Sequence, residues 1–204
     1  GKNHFTKFTF NVLLLNYAFM SERYKAAESG APYFITLTLV KWLPVLSLPA
    51  VSDVVINSLK YCQANKGLRI FGYCIMPSHI HLIVRSDILA IGFVVRDLKK
   101  YTSFMIAEVT KNDLSLRKYY QVFQKTSTTT ARNKQYKVWL DGYHPEVIYS
   151  SSFFYQKLNY IHRNPVEARL VERAEEYFFS SARNYAELDA PLEIVMETRE
   201  LLTY

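Results

Sequence analysis

Apolar and polar positions alternate along the chain with periods that change several times. Ala31 to Trp42, APYFITLTLVKW, is rich in β-branched and aromatic residues and predicts a strand. Val51, Val54, Val55, Leu59 and Cys62 then recur at helical spacing, with Ser52 as the expected cap and Gly67 as the stop. LRIFGYCIM and HIHLIVR read as two strands joined by a Pro77-Ser78 turn. After Asp87, the positions Val94, Val95, Leu98, Tyr101, Thr102, Met105, Ile106 and Val109 mark an amphipathic helix. Short strand-like runs are expected around Asp141-Gly142. SSSFFYQKLNYIHRNP predicts a last helix that the residue before Pro165 brings to an end near Arg163 or Asn164. The order strand, helix, strand, strand, helix is most of a ferredoxin-like βαββαβ unit: an α+β fold with an antiparallel sheet flanked by helices.

Three segments are expected. Residues 1–30 form an N-terminal extension, partly a tag remnant or flexible, since a lysine-flanked apolar run from Phe8 to Phe19 only weakly resembles a signal peptide and Met20 is a plausible natural start. Residues 31–165 form the functional domain, and 166–204 a C-terminal helical extension packed on it. No other run is long and apolar enough to cross a bilayer. The two cysteines, Cys62 and Cys74, match no metal or redox spacing and read as small core residues of a protein from a reducing cytoplasm.

Half of the 204 residues are apolar, which excludes a disordered chain. The net charge of +7 admits a polyanionic partner without requiring one. The basic residues cluster. Arg96, Lys99, Lys100, Lys111, Arg117, Lys118, Lys125, Arg132, Lys134 and Lys137 face only Asp97, Glu108 and Asp113 over one stretch. Tyr101, Tyr119, Tyr120, Phe123 and Tyr136 are interleaved with them. Such a mixture suits phosphates and unpaired bases. Arg96, Lys99, Lys100 and, on the last helix, Lys157 are the candidate DNA contacts.

Candidate chemistry comes from two places. His79 and His81 lie two apart on a strand and so project to the same side, while Ile80, Leu82 and Val84 point the other way. Two imidazoles on one face make either a two-point metal clamp or a polar patch on a solvated sheet. On the last helix Tyr160 and Asn164 are four apart and share a face, beside an apolar stripe of Phe154, Leu158 and Ile161. His162 and His144 read as structural and loop residues.

MPSHIHLIV followed by KLNYIHRNPVEARLV, together with VWLDGYHPEVI and YFFSSARNYA, resembles the REP-associated tyrosine transposases of the single-tyrosine HUH transposase and nuclease superfamily. The likeness spans Pro32 to Tyr185. It implies that His79, His81 and the carboxamide oxygen of Asn164 hold a divalent metal, Mg²⁺ or Mn²⁺, and that Tyr160 is the nucleophile. Related transposases often carry Gln where Asn164 stands. The implied activity is cleavage and rejoining of single-stranded DNA at palindromic hairpins through a 5′-phosphotyrosine link, by a monomer or a homodimer. Two other readings compete with it: a hairpin-binding relative without chemistry, and a metal-dependent nuclease that uses activated water.

Overall fold

A computed structural model describes residues 30–128 and 135–196. The expected N-terminal extension up to Ser29, Arg132, Lys134 and the acidic Glu197 and Glu200 lie outside the described residues. The element order is β1 (Tyr33–Thr38), α1 (Pro49–Lys66), β2 (Leu68–Ile75), β3 (His79–Ser86), α2 (Ile91–Asn112), α3 (Arg117–Thr128), β4 (Glu146–Val147), α4 (Ser151–Glu167) and α5 (Ala182–Tyr185). The sheet order is β2-β3-β1-β4, with β3 antiparallel to both its neighbours and β4 antiparallel to β1. This is the ferredoxin-like order: α1 carries the chain from β1 past an empty position to β2, and β3 then fills the gap.

Alternation along each strand divides the interior in two. Ile35, Leu37, Tyr73, Ile75, Ile80, Leu82 and Val84 enter the larger core with Val51, Val55 and Leu59 of α1 and Val94, Val95 and Leu98 of α2. Phe34, Phe71, Cys74 and Ile83 enter a smaller core on the opposite face, closed by Phe154, Leu158 and Ile161 of α4. Cys62 and Cys74 are free thiols buried one in each core.

Several boundaries differ from the sequence expectation. The first strand stops at Thr38, and Val40–Trp42 coils into a 3-10 turn. Helix α1 starts three residues before Ser52, with Pro49 in its first turn, where the missing N–H costs nothing. Ser52 is buried and its hydroxyl donates back to the carbonyls of Leu48 and Pro49 instead of capping. Gly67 does end α1, in the left-handed conformation at φ 66°. Helix α4 runs through Pro165 to Glu167. The Ala168 amide reaches Asn164 O, the Leu170 amide Pro165 O and the Arg169 amide Val166 O, so these last-turn carbonyls are satisfied. Tyr101, placed on the core stripe by periodicity, is 55% exposed, because the buried stripe of α2 passes through Leu98, Thr102 and Ile106.

After α4 the described chain is mostly irregular, with only a 3-10 turn at Ala174–Glu176 and the single turn of α5. It is a strap along the outer edge of β2. The Ile75 amide donates to Phe179 O, the Ser181 amide to Tyr73 O, and the Val195 amide to Ile70 O. Backbone groups that an edge strand would leave bare are thereby paired.

Helix α4 sits close to the sheet because β2 carries a glycine beneath it. A Cβ on Gly72 would lie 2.7 Å from Leu158 Cδ1 and 3.1 Å from Ile161 Cδ1. An irregularity in the β2–β3 register falls between Ile70 and Gly72. We expect Gly72→Val to destabilise the protein by about 1–3 kcal/mol, since branched methyls overpack this contact. Chemical denaturation measures it, and an unchanged midpoint would show that α4 is free to ride higher on the sheet.

Candidate active site

Cross-strand pairing assembles the site. Thr36 lies opposite His81 and Thr38 opposite His79, so both histidines share their face with Phe34 and the two threonines. This is the α4 face of the sheet. His79 and His81 have ring centroids 4.7 Å apart. His81 is 4% exposed and is gripped on several sides. Its Nδ1 shares a hydrogen bond of 2.9 Å with Thr36 Oγ1, and its ring stacks on Phe34 at 5.5 Å with an interplanar angle of 18°. Its Nε2 is buried with no hydrogen-bond partner among the described residues.

Burial, the neighbouring His79 and the Lys157 ammonium together push the His81 pKa down to about 3. Burial also holds His79 below its ordinary value. Both imidazoles are therefore neutral at pH 7, the form that ligates metals. In the tautomer whose Nδ1–H donates to Thr36, the Nε2 lone pair is left available to a ligand. That is the usual way in which an outer hydrogen bond fixes a metal-binding tautomer.

Helix α4 brings the phenol. The Ser150 hydroxyl caps it by accepting from the Phe153 amide at 3.2 Å, and its apolar stripe beds on the smaller core. Two residues past Leu158, Tyr160 is 47% exposed, and its ring stands edge-on to His81 with centroids 5.4 Å apart. Phe34 meets the same ring at 6.1 Å. One turn further on, Asn164 is half-buried, and its Nδ2 has no hydrogen-bond partner among the described residues. The carboxamide is not committed to any structural bond, although the helix end around it is well paired.

Lys157 joins the same cluster. Its ammonium sits 4.4 Å from the Phe34 ring centroid, on a ring that stacks in turn on His81, and it pairs with Glu146 at 2.8 Å. The other three expected DNA contacts are elsewhere. Helix α2 packs on the far face of the sheet, so Arg96, Lys99 and Lys100 do not reach the histidines. They line a cleft of about 1150 Å³ between α2 and residues 135–143. Lys99 donates to the carbonyls of Leu140 and Gly142 at 2.7 and 2.6 Å and so fastens that segment. Arg96 pairs with Asp97 and lies over Phe93. Lys100 is exposed. Among the aromatics expected to stack on bases, Phe123 is fully buried and is a core residue, and Tyr119, Tyr120 and Tyr136 pack partly against the core.

His162 points away from the phenol, as its place two residues on requires. Its Nε2 lies 2.8 Å from Ser181 Oγ, and burial lowers its pKa to about 4. It ties α4 to the strap and thereby helps to set the helix that carries Tyr160. Periodicity did not reveal Thr36, Phe34 or Trp42 as neighbours of the histidines. For Thr36 and Phe34 the signal was available in the polar-apolar alternation of β1 once its register against β3 was known. Trp42, whose ring centroid is 5.3 Å from that of His79, follows from no local pattern.

Among the described residues no group of three or more His, Cys, Asp or Glu side chains converges on a point, and no helix is long and apolar enough to cross a membrane. No curated protein matches the chain in sequence. A solved structure of a REP-associated tyrosine transposase bound to a REP hairpin superposes on it with a TM-score of 0.51 at 16% identity, covering 84% of this chain and 90% of that one. That likeness is one of fold. The sequence itself matches the model of the IS200-like transposases from residue 44 to residue 164, more than half of its length. The matched span starts beyond Trp42 and ends on Asn164, so it takes in His79, His81 and Tyr160, and the chain belongs to the IS200-like transposase family.

Proposed function

We propose that the protein cleaves and rejoins single-stranded DNA at hairpin sites, with Tyr160 as the nucleophile and a divalent cation, Mg²⁺ or Mn²⁺, held by His79, His81 and Asn164. The observation that carries this reading is the exposed phenol standing 5.4 Å, ring to ring, from a buried neutral histidine whose Nε2 has no hydrogen-bond partner among the described residues. Its other ring nitrogen is already engaged by Thr36, and a buried ring nitrogen left without a partner is uncommon, which supports a ligand position. The solved neighbour bound to a REP hairpin supports hairpin DNA as the substrate class.

The residues present fit such an ion. Two neutral imidazoles and an uncommitted carboxamide would offer a mixed nitrogen and oxygen set, to which phosphate oxygens would add further ligands. Asn is one methylene shorter than the Gln of related transposases, so it is the weakest of the three as a direct ligand. When bound, the cation supplies Lewis-acid stabilisation of charge on the phosphate.

The rest falls to the chain. Tyr160 Oη forms a bond to phosphorus as the bond from phosphorus to the 3′ oxygen breaks. The products are a 5′-phosphotyrosine and a 3′-hydroxyl. The phenol gives up one proton and the departing 3′ oxygen gains one. One phosphodiester is exchanged for another, so a second 3′-hydroxyl can attack the link and release Tyr160 without ATP. Lys157, beside Phe34, places a positive charge near the incoming phosphate. Arg96, Lys99 and Lys100 line a separate basic cleft in which Lys100 is the freest cation to hold the DNA backbone away from the reacting atoms.

The test is a labelled hairpin oligonucleotide with single-stranded flanks, incubated with the protein and Mn²⁺ or Mg²⁺ and run on a denaturing gel. The expected result is a labelled band at the mass of protein plus DNA, with the adduct mapping to the α4 peptide that contains Tyr160. Cleavage with no protein-linked product points instead to a water-using nuclease. Binding without cleavage points to a hairpin-binding relative.

A further inference from the structure

Among the described residues, Trp42 is the one exposed aromatic in ring contact with the histidines to which the chemistry of Tyr160 gives no task. It stands at the end of the 3-10 turn after β1, is 60% exposed, and meets His79 edge-on at 5.3 Å. Its backbone is costly. Lys41 and Trp42 have φ of 55° and 53°, consecutive left-handed residues of which neither is glycine. Glycine would make this turn without strain. A tryptophan there gains little from burial, so core packing does not account for it.

The turn is nonetheless firmly held. The Leu39 amide donates to Ser78 O at 3.0 Å, Val40 to Val138 O at 2.9 Å, and Leu46 to Pro77 O at 2.9 Å. An indole is thus presented from a fixed platform at the mouth of the site. Trp42, His79, His81 and Tyr160 form one row with successive centroid separations of 5.3, 4.7 and 5.4 Å. The phenol occupies one end of the row and the indole the other, on opposite sides of the imidazole pair. Exposed Lys41 adds a cation next to the indole.

We propose that Trp42 is a nucleobase subsite: its free face stacks an unpaired base of the strand whose scissile phosphate lies at the histidines, next to that phosphate on the side away from Tyr160. This rests on the reading of the site as one that acts on single-stranded DNA. Base stacking on an aromatic is tolerant of sequence and suits the flank of a hairpin. It fixes the register of the strand against the nucleophile, so Trp42 is a positioning residue.

Tryptophan emission reads this out, because the second tryptophan, Trp139, is buried and donates its Nε1 hydrogen to Thr102. The probe is a hairpin oligonucleotide with thymidine flanks, titrated into Tyr160→Phe protein so that binding proceeds without turnover. Quenching that is lost in Trp42→Gly, with binding about tenfold weaker, is the expected result. Trp42→Gly should melt no lower than the parent, since glycine accepts the left-handed backbone, so weaker binding cannot be blamed on misfolding. Trp42→Phe should retain most of the affinity.

Tight binding with unchanged emission, or parental affinity in Trp42→Gly, overturns the subsite. If the DNA quenches Trp42 but never becomes linked to protein with Tyr160 intact, the subsite stands and the cleavage chemistry falls. If the oligonucleotide does not bind at all, both fall.

Discussion

Tyr160→Phe is expected to abolish the protein–DNA adduct and to lower strand cleavage by at least about 10³-fold, the scale on which loss of a nucleophile acts. The substitution removes one oxygen from a ring that is half exposed, and leaves its edge contacts to His81 and Phe34 in place. Stability should therefore change by less than about 0.5 kcal/mol, as for other surface positions. The proposed metal ligands are untouched, so any rise in melting temperature caused by Mn²⁺ in the parent should persist. A variant that folds, responds to metal and binds hairpin DNA, yet forms no adduct, isolates the hydroxyl as the reacting group. Full cleavage by Tyr160→Phe would move the chemistry to water. Neighbouring tyrosines are poor substitutes. Tyr155 is exposed but lies five residues earlier on α4, and among the ring contacts of the described residues only Tyr160 pairs a phenol with His81.

The parts of this site that were legible in the sequence depend on local periodicity. His79 and His81 are forced to one side by the pleat. The stripe of Phe154, Leu158 and Ile161 forces α4 onto the sheet and turns Tyr160 toward the edge of that contact. Gly67 announces the end of α1 through a conformation that few other residues adopt. Those constraints act over a few residues and carried the fold order; the pairing of histidines with phenol was implied only by the family resemblance of MPSHIHLIV and KLNYIHRNPVEARLV.

What was not legible depends on contacts between distant segments. Lys99 reads as a free cation on a basic helix, but the carbonyls of Leu140 and Gly142, some forty residues away, use it. The strap along β2 is held by backbone groups of Phe179, Ser181 and Val195 and by the hydroxyls of Ser181, Tyr177 and Tyr185 on β2 backbone, contacts that follow no helical or strand period. Pro165 reads as a stop because its ring disfavours the helical region for the residue before it; Ile161 in the preceding turn is buried against the sheet, and packing there outweighs the local preference. Trp42 is hidden for the opposite reason. Its backbone contradicts the propensity of its residue type, and such local violations concentrate at functional positions.

The second large effect concerns the metal. In the parent, Mn²⁺ at about a hundred times its dissociation constant should stabilise the fold by about 2.7 kcal/mol, because the histidine pair exists as a site only when folded. For a chain of this size that is a rise in melting temperature of about 5–10 °C. His81→Ala is expected to remove the rise entirely and to lower cleavage by at least about 10²-fold. In metal-free protein the same substitution has opposing effects. It loses the hydrogen bond to Thr36 and the stack on Phe34, which together are worth about 1–3 kcal/mol. It also removes a buried Nε2 that has no partner among the described residues, a group whose burial costs about 1–3 kcal/mol. The ring's removal also leaves a cavity, so the metal-free melting temperature should fall moderately while the response to metal vanishes entirely. That separation is what a ligand does and a packing residue does not. If His81→Ala instead lowered the metal-free melting temperature steeply and kept its Mn²⁺ response, His81 would be a core residue whose lone Nε2 has another cause. The ion would then have to be sought away from the phenol, and Tyr160 would lose the partner that makes its position chemically useful.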